Sequence, residues 1–140
     1  MSKQDLTGSC LCGQVRAALT SEPVAVAVCH CTHCQKTAGS AFSTVLLMPA
    51  GAVAVQGPVI GYADRGDSGM AVTRTFCGKC GSPVETSSEA TQAQQVRIIK
   101  AGLFAGLREF PPQLELFCAS RCSWIPALSG TTTFAGMPRH

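Results

Sequence analysis

Short runs of alternating or β-branched apolar residues, separated by turn residues, are the dominant pattern along this chain of 140 residues. Residues 14–19 alternate, with Val15, Ala17 and Leu19 on one side, as in a strand that buries one face. No segment has the apolar period of a long helix. The pattern predicts further strands at residues 24–28, 41–48, 53–55, 59–62, 71–76, 83–86, 96–99 and 114–117.

Polar and turn-forming segments separate these strands. Residues 35–40 are small and polar, which predicts a loop or a single helical turn, and residues 64–69 are predicted to form a charged, exposed turn. Many short strands without a repeat or a linker predict one all-β domain. We expect the domain to cover residues 1–136 and a disordered tail to follow at residues 137–140.

Composition and charge narrow the class of protein. Hydrophobic residues make up 46% of the chain, as in a globular protein, and the charged fraction of 14% favours a face covered by a second subunit in a homodimer. The net charge of +3 comes from scattered basic residues, which excludes a nucleic-acid-binding stripe. The longest apolar stretch, residues 41–55, is interrupted and shorter than the roughly 20 residues of a membrane span. These features predict a soluble, cytoplasmic protein.

The chain contains nine cysteines, and a hydrophobic core does not require so many. An odd number cannot pair completely within one chain, and a reducing cytosol disfavours disulfides. The Cys-x-Cys spacing is also poor for a disulfide, because the two sulfurs meet only with backbone strain. Metal binding is therefore the better interpretation of the cysteines.

The densest motif is Cys29-His30-Cys31-Thr32-His33-Cys34. Its three thiols can wrap one soft divalent metal, and no fourth ligand is evident. Structural zinc sites usually have four protein ligands, whereas catalytic sites keep one position open, so we interpret this motif as an open zinc site. His30 and His33 are candidates for a fourth ligand or a proton relay, and the alternative is that each only hydrogen-bonds nearby backbone.

Two further cysteine pairs lie far apart in the sequence and can close one four-sulfur structural zinc site. These pairs are Cys10 with Cys12 and Cys77 with Cys80. Spacing alone also allows a double knuckle in which Cys31 and Cys34 join the second pair. That arrangement would make the protein a purely structural module, and the spacing leaves both groupings open.

Three motifs in order resemble the glutathione-dependent formaldehyde-activating enzyme family, which includes centromere protein V. They are Gly8-x-Cys10-x-Cys12-Gly13-x-Val15, Cys29-His30-Cys31-x-x-Cys34-Gln35-Lys36-x-x-Gly39-Ser40-x-Phe42 and Phe76-Cys77-x-x-Cys80-Gly81-Ser82-Pro83, with Trp124 further on. The resemblance implies a zinc-binding β-tent of coiled antiparallel sheets with two zinc ions per chain. It assigns the structural zinc to Cys10, Cys12, Cys77 and Cys80, and the catalytic zinc to Cys29, Cys31 and Cys34.

The chain also departs from that family's pattern. Glu115 stands where the family often carries a histidine, and Cys118 and Cys122 are additional. We expect the two extra cysteines to be ordinary thiols, with a redox or accessory metal role as the alternative. These departures leave the metal motifs intact and leave the identity of the substrate open.

The donor set suggests the chemistry. A zinc ion with three thiolate ligands is a weak Lewis acid toward water and suits the binding of an incoming thiol. By the resemblance, a small thiol such as glutathione adds to an aldehyde such as formaldehyde, giving an S-hydroxyalkyl adduct, and the reverse step is carbon–sulfur lysis. His30 or His33 would relay a proton, and Lys36 and Arg74 would bind the carboxylates of the thiol.

Two other functions remain open from the sequence. A thiol carrier, or a zinc-stabilised interaction module, would bind without turnover. Chromatin association, as in one relative, would require a basic region that the scattered charges do not form.

Overall fold

Eleven strands and two short α-helices form the fold in the computed structural model, which describes residues 6–138. In chain order they are β1 (Thr7–Ser9), β2 (Arg16–Leu19), β3 (Ala25–Cys29), α1 (Thr32–Ala38), β4 (Ser43–Pro49), β5 (Val53–Gln56), β6 (Val59–Arg65), β7 (Ala71–Cys77), β8 (Pro83–Ser88), α2 (Glu89–Ala93), β9 (Val96–Lys100), β10 (Leu114–Leu116) and β11 (Thr132–Thr133). The prediction of a single, mainly β domain is confirmed. The disordered tail remains a prediction, since residues 139–140 lie outside the described part.

The strands form two sheets. The smaller sheet has the order β1-β2-β5 and is antiparallel, and the larger has the order β11-β10-β3-β4-β9-β8-β7-β6. Across the larger sheet, each pair of neighbouring strands from β3 through β4, β9, β8 and β7 to β6 is antiparallel. In contrast, β10 runs parallel to both of its neighbours, β3 and β11. The predicted antiparallel pairing is therefore confirmed except at this edge, where β10 pairs in parallel with both neighbours. Parallel pairing requires a long crossover connection, and residues 101–113, which link β9 to β10, are long enough to provide it.

The core lies where the small sheet covers one face of the large one. The three residues predicted to lie on one side of this strand are all buried: Val15, which directly precedes β2, and Ala17 and Leu19 within it. They pack against apolar side chains of the large sheet and of the connection after β9, namely Leu46, Met48, Val84, Ile99 and Phe104. Alternation along the strands thus identifies the buried face correctly, because successive side chains point to opposite sides.

The corner between β5 and β6 connects the two sheets at Gly57. Its φ is +123°, and a Cβ atom there would lie 2.3 Å from the carbonyl oxygen of Gln14. Only glycine permits this backbone conformation and this close approach. Neither helix within residues 6–138 has the length and apolar character of a membrane span.

Candidate active site

The first thiol cluster brings together Cys10, Cys12, Cys77 and Cys80, whose sulfur atoms all lie within 4.8 Å of one another. The Sγ atoms of Cys10 and Cys12 are 3.6 Å apart, and those of Cys12 and Cys77 are 3.8 Å apart. Four Zn–S bonds of about 2.3 Å in a tetrahedron would place the sulfurs about 3.8 Å apart. The donor set and its spacing therefore fit one zinc ion.

Hydrogen bonds to two of these sulfurs, those of Cys10 and Cys80, favour the thiolate form. The Val15 N–H donates to Cys10 Sγ at 3.2 Å, and the Ser82 hydroxyl lies 3.2 Å from Cys80 Sγ. The hydrogen bond from Ser82 lowers the pKa of Cys80 to about 5. Cys10 follows β1 and Cys77 ends β7, so the cluster joins the small sheet to the large one.

The second thiol cluster contains Cys29, Cys31 and Cys34, again within 4.8 Å of one another. Cys29 ends β3, Cys31 is the N-cap of α1, and Cys34 lies in the first turn of that helix. Cys31 Sγ accepts a hydrogen bond from the Cys34 N–H at 3.2 Å, which is how the sequence starts a helix inside the motif. Among the described residues, no fourth cysteine, histidine or carboxylate joins this cluster.

The three thiols of the second cluster cannot ionise independently. Hydrogen bonds from Cys29 and Cys34 lower the pKa of Cys31 to about 2, whereas Cys31, Cys34 and burial raise the pKa of Cys29. One thiolate thus forms readily, and further ionisation needs a positive partner. A soft divalent cation bound by three thiolates, with one position open, fits this donor set.

The two clusters settle how the cysteines group. Cys77 and Cys80 lie with the first pair and not with Cys31 and Cys34, so the double knuckle does not occur in the described part of the chain. Cys118 belongs instead to a group with His30 and Glu115. Its Sγ accepts from Arg121 Nη2 at 3.3 Å. The same guanidinium nitrogen donates to Glu115 Oε1 at 3.2 Å, so two members of this group are already bound to a cation.

His30 is fully buried and is bound to a buried carboxylate. Its Nε2 lies 3.0 Å from Glu115 Oε1, and since a carboxylate only accepts, Nε2 carries the hydrogen. Glu115 also accepts from Arg121, from the Leu128 N–H and from the Thr131 hydroxyl. Burial alone would raise the pKa of Glu115, but these hydrogen bonds outweigh it and lower the pKa to about 2.

His33 has a different environment, at the rim of the second cluster. Its Nδ1 lies 2.6 Å from Asp64 Oδ2, and the same oxygen accepts from Arg74 Nε at 2.7 Å. Hydrogen bonds from Arg74 and His33 hold the pKa of Asp64 well below its usual range. Asp64 lies on β6, so its prediction as part of an exposed turn is wrong. Because the carboxylate accepts, Nδ1 of His33 carries the hydrogen and Nε2 is the nitrogen left without a bond among the described residues.

A cavity of about 280 Å³ opens beside the second cluster and is bordered by Thr37 of α1, Arg74 and Lys100. Lys100 is buried, and its Nζ donates to Ser43 Oγ at 3.0 Å. Burial lowers the pKa of Lys100. Lys36, a predicted substrate-binding residue, is exposed on α1 and does not border the cavity. The sequence offered one signal for Lys100: a charge at the end of the apolar strand at residues 96–99.

Sheet register explains why these side chains meet. Directly opposed residues of antiparallel strands share a face, as do residues two apart on one strand. Cys29 of β3 lies opposite Ser43 of β4, and Val45 of β4 lies opposite Lys100 of β9. Ile98 of β9 lies opposite Thr86 of β8. Thr86 in turn lies opposite Arg74 of β7, which lies opposite Tyr62 of β6. One face of the large sheet therefore carries Cys29, Ser43, Lys100, Thr86, Arg74 and Tyr62.

A larger cavity, of about 540 Å³, lies over the small sheet. Its border consists mainly of small and polar residues, with Arg16 as its charged side chain. No cysteine borders either of these two cavities. The smaller cavity is the better candidate for a reaction site, because its two cations, Lys100 and Arg74, interact electrostatically with thiols of the second cluster.

Comparisons with known proteins agree with this arrangement. The family profile of the glutathione-dependent formaldehyde-activating enzyme matches residues 5–120. The chain is similar to the crystal structure of a Rhodobacter sphaeroides protein, with 15% identity and a TM-score of 0.53, over 71% of this chain and 88% of that one. A search of curated proteins returned no match. The profile covers most of the chain and includes both thiol clusters, and the chain therefore belongs to the glutathione-dependent formaldehyde-activating enzyme family.

Proposed function

We propose that the chain catalyses the reversible addition of a small thiol, of the glutathione type, to an aldehyde, of the formaldehyde type. The product is an S-hydroxyalkyl adduct, and the reverse reaction is that of a carbon–sulfur lyase. The observation that carries this proposal is the three-thiol cluster, which has no fourth protein ligand among residues 6–138 and lies beside a cavity with two cations. Membership of the family supports glutathione-dependent formaldehyde activation in general.

In this proposal the chain holds two zinc ions, a structural one in the first thiol cluster and a catalytic one in the second. Zinc bound at Cys29, Cys31 and Cys34 would supply a soft Lewis acid that favours the thiolate form of an incoming thiol. The proposal places the protein in the cytoplasm, where such thiols stay reduced, and the charged fraction of 14% supports a possible homodimer.

His33 is the group we assign to proton transfer. Addition of a thiol to an aldehyde removes a proton from sulfur and delivers one to the carbonyl oxygen. His33 Nε2 is free to take and return that proton, because Asp64 fixes the hydrogen on Nδ1. His30 is fully buried against Glu115, so it orients the backbone between Cys29 and Cys31.

Arg74 is the stronger of the two predicted residues for binding a carboxylate of the thiol. Its side chain is 13% exposed, borders the cavity and uses Nε for Asp64, which leaves the rest of the fork-shaped guanidinium for a substrate. Lys36, exposed on α1, is proposed as a second contact at the outer side of the helix.

The test is exchange NMR on an equilibrium mixture of glutathione and formaldehyde, with and without zinc-loaded protein. We expect faster exchange with the wild type and none of this acceleration with Cys31→Ser. Cys122→Ser is the matched control, since Cys122 lies outside both thiol clusters, and should behave as the wild type. Unchanged exchange together with glutathione binding would contradict turnover and favour a thiol carrier.

A further inference from the structure

The cavity beside the second thiol cluster is bordered by two cationic side chains and by a residue whose hydroxyl is buried. Lys100, Arg74 and Thr86 all border it. The carboxylate on the same border, Glu85, is occupied by two hydrogen bonds from Arg97, at 2.7 and 2.9 Å. Apart from Asp64, which accepts from Arg74 Nε, no carboxylate among residues 6–138 accepts a hydrogen bond from these three side chains.

Lys100 is the least satisfied of these donors. An ammonium group has three hydrogens, and the structure provides one acceptor for them, the Ser43 hydroxyl. Within residues 6–138, no carboxylate pairs with Lys100, and the charged groups that act on it are Arg74 and the three thiols of the second cluster. A buried cation without a carboxylate partner is costly unless a ligand or cofactor completes its environment.

Thr86 gives an independent sign of the same kind. Its Oγ1 is buried and has no hydrogen-bond partner in the described part of the protein. Buried hydroxyl groups nearly always have a partner, so this atom requires an explanation. Thr86 lies opposite Arg74 in the sheet, and the two therefore point into the same cavity.

We propose that Lys100, Thr86 and Arg74 form a carboxylate-binding subsite that holds the acid group of a substrate beside the second thiol cluster. The subsite rests on the proposed function, because it positions a substrate of that reaction. Two charged donors and one hydroxyl match a carboxylate, whose two oxygens accept several hydrogen bonds. The carboxylate belongs either to the thiol or to the aldehyde, which would then be a 2-oxo acid.

Calorimetric binding to the zinc-loaded protein tests the subsite without requiring turnover. The first pair of probes is 3-mercaptopropionate and 2-mercaptoethanol, two small thiols that differ in the acid group. The second pair is glyoxylate and formaldehyde. We expect the acid to bind about tenfold to a hundredfold more tightly than its neutral counterpart in at least one pair. A preference in the first pair assigns the carboxylate to the thiol, and a preference in the second assigns it to the aldehyde.

Variants separate the subsite from a general effect of charge. Lys100→Met should remove most of the preference, Lys100→Arg should retain part of it, and Thr86→Val should weaken acid binding severalfold. Thr86→Val removes only an unpaired hydroxyl, so it should fold even if Lys100→Met does not. Arg108→Met, the control, removes an exposed positive charge away from the cavity and should leave both preferences unchanged.

Equal binding of acid and neutral probes by the wild type, or an unchanged preference in both Lys100→Met and Thr86→Val, would overturn the subsite. The proposed function has a separate readout. Acid binding that depends on Lys100 without any acceleration of exchange would refute turnover and leave the subsite standing. Accelerated exchange without an acid preference would refute the subsite and leave the proposed turnover standing.

Discussion

At Glu115, four donors keep a fully buried carboxylate in its charged form. They are His30 Nε2, Arg121 Nη2, the Leu128 N–H and the Thr131 hydroxyl. These donors come from the motif after β3 and from the segment between β10 and β11. The carboxylate therefore connects the base of the second thiol cluster to the C-terminal part of the fold.

Glu115→Gln should lower the free energy of unfolding by about 1–3 kcal/mol, because the amide loses the charge and presents a donor where only acceptors are needed. Glu109→Gln, on an exposed turn, is the control and should be within about 0.5 kcal/mol of the wild type. Chemical denaturation at pH 7 measures both. A variant as stable as the control would show that the buried carboxylate contributes nothing.

The same residue predicts a pH dependence. Its pKa is lowered from 4.5 to about 2 on folding, so its contribution is present above the unfolded pKa and is lost as pH falls from about 4.5 towards 2. The stability difference between wild type and Glu115→Gln should therefore shrink across that window. Any loss of metal from the cysteine clusters in acid affects both proteins alike, so it cancels in the stability difference. A difference that grew on acidification would contradict the assignment.

At the scale of single elements, helix α1 carries the site, because it holds Cys34 and His33 and has Cys31 as its N-cap. The helix is only seven residues long, so its ends matter. It ends at Gly39, where φ is +61° and the N–H bonds back to Lys36. This left-handed turn then directs the chain into β4, whose first residue, Ser43, meets Lys100.

Gly39→Ala should destabilise the protein by about 1–2 kcal/mol, since an L-residue is strained in the left-handed conformation. Apart from its chain neighbours, no atom of residues 6–138 lies within 4 Å of the added Cβ, so the effect is one of backbone conformation alone. Gly102→Ala is a matched control: it has the same empty surroundings without a positive φ, and it should be neutral. Thermal unfolding of both variants measures the difference, and equal melting temperatures would contradict it.

At the scale of the whole molecule, the first thiol cluster connects segments that are distant in sequence. Cys12 and Cys77 are 65 positions apart, and their sulfurs meet at 3.8 Å between the two sheets. A metal that closes so long a loop restricts the unfolded chain and adds its binding energy to folding. The second cluster lies within six consecutive residues, so it contributes much less to the overall fold.

Elemental analysis and circular dichroism should therefore separate the two clusters. We expect two zinc ions in the wild type, and one with native structure in Cys31→Ser. Cys77→Ser should lose the other ion together with cooperative unfolding, because the two sheets are no longer held together. Native structure in a Cys77→Ser protein that contains a single zinc ion would contradict this division between a structural and a catalytic site.

Local patterns determined much of this protein from the sequence alone. The three cysteine motifs indicated which residues could ligate a metal, because thiols a few positions apart are brought together by a single turn. Alternation along β2 indicated which side is buried, since the side-chain period of a strand does not depend on its neighbours. Membership of the family followed from the same motifs.

Only the tertiary structure decided which other side chains surround the candidate site. Lys100, Thr86 and Asp64 lie on three different strands, and Asp64 had been assigned to a turn. Their proximity depends on strand order and register, and both are set by packing between segments dozens of residues apart, for which the local sequence carries no signal. The parallel edge at β10 was missed for the same reason. The sequence thus determined the cysteine motifs and the buried faces, and the non-local pairing of strands decided what surrounds the candidate site.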